Sequence, residues 1–164
     1  MLTRRAAFIA SIALAGLCLS GCTAGRGGEP DSTPTTTPES TDVFAIAVGD
    51  CVTDQDADGA VISASVIPCT DPHQKEAYQS ILLPDGDFPG DEAISAEATT
   101  QCEEAFGTFV GIAYRDSKAL NVTWYNPTPT TWASGDREIL CLVFAVDVNG
   151  APTPTVGSLE NANR

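Results

Sequence analysis

The residues DEAISAEATTQCEEAFGTF, numbered 91–109, decide the fold, because their apolar side chains follow a helical period. Those side chains recur at intervals of three and four: Ile94, Ala98, Cys102, Ala105, Phe106 and Phe109. The spacing predicts one amphipathic helix with these residues on a single face, and Asp91 is its predicted N-cap. Because Cys102 lies on that face, we expect its side chain to point into the core.

The rest of the folded region consists of short apolar runs that are typical of β-strands. The predicted strands are residues 43–48, 60–68, 77–83, 121–125 and 138–146. Asp58 and Gly59 supply a predicted turn before the second of them. Residues 127–132 are expected to form a loop or a helical turn. Together these elements predict an α+β fold class: a small, mostly antiparallel sheet with one packed amphipathic helix.

The N-terminus, MLTRRAAFIASIALAGLCLSGC, has the features of a bacterial export signal. Arg4 and Arg5 give it a basic start, and the apolar run over 6–19 is too short to span a bilayer comfortably. The run ends in Leu-Ser-Gly-Cys, which resembles a lipobox and implies cleavage before Cys22 and acylation of that residue. The alternative is an ordinary signal peptide with a chance cysteine. The paired arginines leave both the Sec and the twin-arginine export routes open.

Composition divides the remainder of the chain into three parts. Residues 22–42 are rich in threonine, proline and acids, so we expect a disordered tether that joins the lipid anchor to a folded domain. Residues 43–147 hold the predicted strands and helix and are long enough for one core. Residues 148–164 are again rich in proline, glycine and asparagine, and they predict a flexible, loosely packed C-terminal tail.

The cysteine count indicates a disulfide framework. The chain has six cysteines, of which Cys18 lies in the signal and Cys22 is the predicted lipid site. The other four allow three pairings in an oxidising compartment. We predict Cys51–Cys69, which joins the first two strands, and Cys102–Cys141, which joins the helix to the last strand. Closing the loops 51–69 and 102–141 by these disulfides would stabilise the domain by about 3 and about 4 kcal/mol, respectively, in the chain-entropy model. No CxxC spacing occurs, which disfavours a zinc or redox motif.

The chain is strongly acidic, with a formal net charge of −14. Removal of the signal takes away two arginines and no acid, so the charge becomes −16. Such a surface disfavours nucleic acid and anionic lipid headgroups as partners, since both repel it. The charge is therefore interpreted as a solvated surface that keeps an exported domain soluble.

The stretch IPCTDPHQKE, residues 67–76, contains the only histidine, His73. A cysteine–histidine nucleophile would need a free cysteine, and the even cysteine count argues against one. A serine triad has no nucleophile-elbow motif to support it, and a metal site would have a single imidazole. We therefore interpret His73 as a residue that satisfies backbone groups in a turn. The alternative is a hydrolase that uses His73 with Asp71 or Glu76.

A second candidate site is the sequence DQDADG at 54–59, which begins like a calcium-binding loop. With Asp54 at position one, position twelve falls on Ser65, where such loops carry a bidentate glutamate. The flanking segments also predict strands, whereas a calcium loop of this kind joins two helices. An acidic hairpin tip is the preferred interpretation, and calcium binding by Asp54, Asp56 and Asp58 is left as the alternative.

Several of these positions together resemble a known family. They are Val48-Gly49-Asp50-Cys51, Val66-Ile67-Pro68-Cys69, Pro72-His73, Glu76, Leu83-Pro84-Asp85-Gly86, Phe88-Pro89-Gly90, Cys102, Phe106, Trp132, Gly135-Asp136-Arg137 and Cys141. In this order they resemble the septum-formation domain of bacterial envelope proteins, and the resemblance covers residues 45–147. It implies the four-cysteine framework, an envelope location and, from the family name, a role in division. It supplies no catalytic residue and no ligand.

The sequence therefore predicts a non-catalytic module, lipid-anchored through Cys22 to the outer face of the cell membrane. Its expected partners are the membrane, through that anchor, and envelope or division proteins. No catalytic residue, metal or cofactor is expected, and nucleic acid is excluded as a partner. The hydrolase based on His73 is the alternative from another class. A solute-binding lipoprotein is disfavoured, since a domain of this size lacks the two lobes that usually enclose a solute.

Overall fold

A computed structural model describes residues 45–57 and 60–164, with side-chain positions described outside 55–57 and 60–62. The predicted signal, the lipid site at Cys22 and the predicted tether lie outside the described residues. Within the described part, no helix is both long enough and apolar enough to cross a bilayer.

The predicted α+β fold is confirmed. The strands are β1 (Cys51–Ala57), β2 (Ala60–Ile67), β3 (Lys75–Leu82), β4 (Leu120–Tyr125), β5 (Glu138–Val146) and β6 (Pro152–Thr153). The helices are α1 (Asp91–Val110) and α2 (Pro129–Ala133), with one turn of 3-10 helix at Tyr114–Asp116. The strand order is β2-β1-β3-β5-β4, and β6 pairs with β5. All the pairings are antiparallel.

Strand β5 lies in the interior of the sheet because its sequence, EILCLVFAV, is apolar on both faces. It pairs with β3 on one side and β4 on the other. An antiparallel strand with one face in water would alternate apolar and polar residues, so this continuous run requires cover on both faces. The two covers are different in kind.

Helix α1 covers the first face. Its buried side chains follow the predicted stripe, spaced four residues apart: Ile94, Ala98, Cys102, Phe106 and Val110. They share one cluster with side chains from the strands, among them Tyr78, Ile139 and Val143. The predicted N-cap is wrong by one residue, since Asp91 is the first helical residue and Gly90 is the cap. Gly90 has φ 94°, a conformation that favours glycine, and Asp91 instead complements the positive end of the helix dipole.

The hairpin of β1 and β2 covers the second face. Strand β1 pairs with β3 only at Cys51 and Val52. Two residues further on, the carboxylate of Asp54 accepts a hydrogen bond from the hydroxyl of Tyr125 on β4. Because β3 and β5 lie between β1 and β4 in the strand order, the hairpin must bend across the sheet. It buries a second cluster there: Ile46, Val52, Ala64, Ala77, Leu140 and Leu142.

The strand predicted at 43–48 is wrong for its described part, residues 45–48, which form no strand. The chain turns there, because Asp50 N donates to Ala47 O at 3.1 Å and Asp50 Oδ2 accepts from Ala47 N at 2.8 Å. Ile46 nevertheless packs its side chain into the cluster beneath the hairpin. The first strand begins only at Cys51, after Gly49 has turned the chain with φ 97°.

The prediction of a loosely packed tail over 148–164 is also corrected. Residues 151–164, here called the C-terminal strap, return across the sheet and α1. Leu159 is 1% exposed within the helix-side cluster. Asn161 N and Asn163 N donate to Phe109 O and Val110 O at 2.8 and 2.9 Å, and so satisfy carbonyls that the end of α1 leaves unpaired.

Candidate functional site

Both predicted disulfides are present. Cys51 is bonded to Cys69, and Cys102 is bonded to Cys141. The second bridge links α1 to β5, and both of its residues are 0% exposed. In the first bridge Cys51 is buried but Cys69 is partly exposed. The two bridges therefore differ in their access to solvent.

His73 lies in the turn before β3 and is 1% exposed. Its backbone forms a two-way bridge with Thr155 of the C-terminal strap, with N···O distances of 3.0 and 2.9 Å. Its Nδ1 lies 3.0 Å from the carbonyl oxygen of Asp71. Since a carbonyl only accepts, Nδ1 donates this hydrogen bond. Nε2 is buried and has no hydrogen-bond partner among the described residues.

Glu76 is also held by the strap. Its side chain is buried, with the residue 2% exposed, and its carboxylate accepts from Leu159 N at 2.6 Å and from Ser158 Oγ at 2.7 Å. Asp71 is exposed and meets His73 only through its backbone carbonyl. Within the described residues, no hydrogen bond joins the imidazole to either carboxylate. His73 and Glu76 therefore hold the turn and the strap, whereas the carboxylate of Asp71 is exposed.

One group of potential metal ligands lies next to this turn. The sulfur atoms of Cys51 and Cys69 and a carboxylate oxygen of Glu76 lie within 4.8 Å of one another. Metal binding by cysteine requires a thiolate, and both sulfurs are bonded to each other. The carboxylate already accepts two hydrogen bonds. This cluster therefore has the chemistry of a disulfide beside a capped turn.

The described part of the candidate calcium loop differs from a calcium site in its flanking strands and in the contacts of Asp54. Residues 58 and 59 lie outside the described part of the chain, and both flanks are strands. Asp54, its first residue, faces inward and is 8% exposed. One carboxylate oxygen forms an ion pair with Lys75 and the other accepts from the hydroxyl of Tyr125. The oxygens that Asp54 would contribute to a calcium site are thus used inside the fold.

This buried ion pair belongs to a site that the sequence did not predict. Asp54 N donates to Gln74 Oε1 at 2.8 Å, which fixes the hairpin to the start of β3. Lys75 Nζ also lies 5.7 Å from the ring centroid of Tyr125, within the range of a cation–π interaction. The available signal in the sequence was a polar residue, Asp54, two positions after the apolar Val52 in the same strand. Only the bend of the hairpin brings Lys75 and Tyr125 to Asp54.

A cavity of about 380 Å³ opens beside this ion pair, between the hairpin, the sheet and the C-terminal strap. We call it the hairpin groove. Its lining residues are Asp54, Gln74, Lys75, Thr123, Phe144, Pro152, Thr153 and Pro154. The groove combines one half-buried aromatic ring and two prolines with several hydrogen-bonding side chains.

The Gly-Asp-Arg sequence at 135–137 forms a second polar centre. The guanidinium of Arg137 lies 3.8 Å from the ring centroid of Trp132. Its Nη1 donates to the carbonyls of Trp132 and Asp136 at 2.8 and 2.7 Å, and its Nε lies 3.2 Å from Asp85 Oδ1. Trp132 Nε1 donates to Gly86 O at 2.9 Å. These contacts tie the loop before α1 to α2, so Arg137 acts here as a structural group.

Burial raises the pKa of Tyr114, with a smaller contribution from Glu103. Two further titratable groups among the described residues have shifted pKa values. Burial raises the pKa of Tyr78, with smaller contributions from Glu103 and Tyr114, and its hydroxyl donates to Cys102 O at 2.6 Å. Backbone N–H groups of Ala151 and Asn149 lower the pKa of Asp147, because they stabilise the charged carboxylate. Both groups stabilise local structure and neither lines the hairpin groove.

A family model described as "Septum formation" matches residues 29–164. The match confirms the resemblance inferred from the sequence. It extends beyond 147 to the end of the C-terminal strap, in agreement with the packing of Leu159 in the core. No curated protein and no solved structure matches the chain.

Proposed function

This chain belongs to the septum-formation family, and we propose that it is a lipid-anchored, extracytoplasmic module that binds envelope components during division. In this proposal Cys22 carries the lipid and the folded domain stands outside the cell membrane. The domain acts by binding and performs no chemistry. The family match supports the link to septum formation, and the other parts are argued from the residues.

Two features favour the extracytoplasmic location. The sequence Leu-Ser-Gly-Cys at 19–22 follows a basic start and an apolar run, in the order that a lipoprotein signal requires. The two disulfides favour an oxidising compartment, where such bonds form and persist. Several acyl chains on one residue would meet the general need for more than one lipid signal for stable anchoring.

The burial and hydrogen bonds of His73 and Glu76 are the main support for a binding role. General acid–base chemistry needs a side chain that can reach the reacting proton. His73 is 1% exposed and donates to a backbone carbonyl, and Glu76 caps the turn at Ser158 and Leu159. The strap thus occupies the carboxylate of Glu76 and pairs with the backbone of His73, which favours a module that binds.

The anchor is tested by mass spectrometry of the mature protein. We expect the N-terminal residue to be Cys22 with acyl chains attached, and we expect Cys22→Ala to accumulate as unprocessed precursor. Cys18→Ala is the matched control, since it changes a cysteine inside the signal and should leave processing intact. A free, unmodified N-terminus downstream of Cys22 would refute the anchor.

The division role is tested by immunofluorescence of the untagged protein in dividing cells, because a C-terminal fusion would extend the strap. We expect the protein to concentrate at septa. An even distribution around the cell would contradict the proposal. A parallel assay for release of cell-wall fragments should show no activity; release that disappears in His73→Ala, with the fold intact, would support the hydrolase instead.

A further inference from the structure

The hairpin groove has the size and lining of a small-molecule site. Its volume of about 380 Å³ falls within the range typical of ligand clefts, roughly 300–1,000 Å³. Such clefts combine apolar or aromatic walls with a few placed polar groups. In the groove Phe144 supplies an aromatic side chain, Pro152 and Pro154 supply apolar surface, and the other lining side chains are polar or charged.

The charge of the groove selects the class of ligand. Among the described residues that line it, Asp54 and Lys75 are the charged ones, and they form an ion pair with each other. Both oxygens of Asp54 are used, one by Lys75 and the other by Tyr125. A charged ligand would have to break this pair or lie in the groove unpaired, and either change carries a desolvation penalty. The lining therefore favours a neutral ligand.

The polar groups that remain suit hydroxyl and amide groups. Gln74 uses Oε1 for the backbone of Asp54, so its side-chain N–H groups are still available as donors. Thr123 and Thr153 line the groove, and neither hydroxyl makes a hydrogen bond to another described residue. Hydroxyl groups both donate and accept, so these two side chains can pair with either kind of partner.

We propose that the hairpin groove binds a neutral saccharide unit of the N-acetylhexosamine class. The apolar face of the pyranose ring lies against Phe144, and its hydroxyl and acetamido groups pair with Gln74, Thr123 and Thr153. This assignment names a ligand for the binding module proposed above and rests on that function. The paired charges of Asp54 and Lys75 add no net charge to the groove, which suits a neutral saccharide.

The test is a titration of the full chain, kept in a detergent without sugar headgroups, with the tetrasaccharide of N-acetylglucosamine. Isothermal calorimetry should give saturable binding, and amide NMR shifts should map to the groove. Phe144→Ala should weaken binding by about tenfold or more, because it removes the aromatic platform. Thr123→Val, which removes only a hydroxyl, should weaken it by roughly two- to tenfold.

The matched control is Leu82→Ala, which removes an exposed apolar side chain that does not line the groove. We expect it to bind as the unaltered protein does. The melting curve of Phe144→Ala should keep its cooperative transition, so that lost binding reports on the groove and not on unfolding.

Absence of saturable binding, or binding that Phe144→Ala leaves unchanged, would overturn the proposal. A synthetic peptide of residues 23–42 that shifts the same amides would replace the saccharide with the chain's own Thr/Pro-rich segment. The two proposals can fail separately. Septal localisation without saccharide binding would remove only the ligand, whereas saccharide binding without septal localisation would remove the division role and leave the groove.

Discussion

The two faces of the sheet are covered in contrasting ways. Helix α1 seals the first face with a stripe of buried side chains, a disulfide that is 0% exposed and the inserted Leu159. The β1–β2 hairpin covers the second face with a smaller apolar cluster, an ion pair and a disulfide that is partly exposed at Cys69. Only the second cover leaves the hairpin groove beside it.

The contrast separates stability from binding. Helix α1 packs a continuous apolar stripe against the sheet, and none of its residues lines the hairpin groove. A bent hairpin meets the sheet over a shorter distance, so polar side chains at its edge can face both the fold and the solvent. We therefore assign most of the stability to the helix side and the binding role to the hairpin side.

The largest expected contrast concerns the disulfides. Replacing Cys102 and Cys141 by alanine should lower the free energy of unfolding by about 4 kcal/mol, and the same change at Cys51 and Cys69 by about 3 kcal/mol. Chemical denaturation of the full chain in detergent measures both losses. A larger loss for the Cys51–Cys69 pair would reverse the assignment of stability to the helix side.

The same bridges should also differ in reactivity, because a reductant must reach the sulfur that it attacks. Mild reduction followed by alkylation and peptide mapping should label Cys51 and Cys69 first. Equal labelling of all four cysteines would show that the helix side opens as readily as the hairpin side.

The C-terminal strap gives the next largest effect. Leu159→Ala should destabilise the domain by about 3 kcal/mol, since it leaves a cavity in the helix-side cluster. Leu82→Ala is the matched control, because Leu82 is 78% exposed, and it should change stability by less than about 0.5 kcal/mol. Equal melting temperatures for the two variants would return the strap to the loosely packed tail that composition predicts.

The ion pair of the hairpin side should contribute less. Asp54→Ala removes the partner of both Lys75 and Tyr125, and we expect a loss of about 2 kcal/mol. The control is Asp85→Ala, whose carboxylate is 96% exposed beside Arg137 and whose loss should cost less than about 1 kcal/mol. If Asp85→Ala proved the more harmful of the two, Asp54 would not be the polar contact that holds the hairpin.

The smallest effect concerns acid stability. Because the pKa of Asp147 is lowered in the folded protein, its charged carboxylate stabilises the turn at pH values above 3.8, the ordinary pKa of an aspartate. That contribution should disappear as the pH falls below 3.8, through the folded-state pKa. Asp147→Asn should therefore flatten the acid side of the melting-temperature profile by a small amount. An unchanged profile would mean that the turn does not depend on the charged form.

The sequence was informative wherever a local pattern was sufficient. The four-residue spacing from Ile94 to Phe106 predicted α1, and the apolar run of β5 matched its observed bounds of Glu138–Val146. The positions of Cys102 and Cys141 on those two elements predicted the second bridge, and those of Cys51 and Cys69 near the first two predicted strands predicted the first. For α1 and β5 the signal lay within the element itself.

The sequence was less informative where distant residues decide. Asp54 gave the pattern of a calcium loop, but its partners Lys75 and Tyr125 lie 21 and 71 residues away. The strap's composition suggested a loose tail, because a single buried leucine and a few backbone hydrogen bonds leave little trace among prolines and asparagines. The groove depends on both of these features and could not be predicted from the sequence.

The most direct test of the division between the two faces compares two phenylalanine variants of the full chain. Phe106 is 0% exposed beneath α1, so Phe106→Ala should lower the free energy of unfolding by about 3–5 kcal/mol and leave saccharide affinity unchanged at temperatures where the protein is folded. Phe144→Ala should cost less than about 1 kcal/mol and weaken that affinity by about tenfold or more. If Phe144→Ala lost as much stability as Phe106→Ala, or if it kept full affinity, the account would be contradicted.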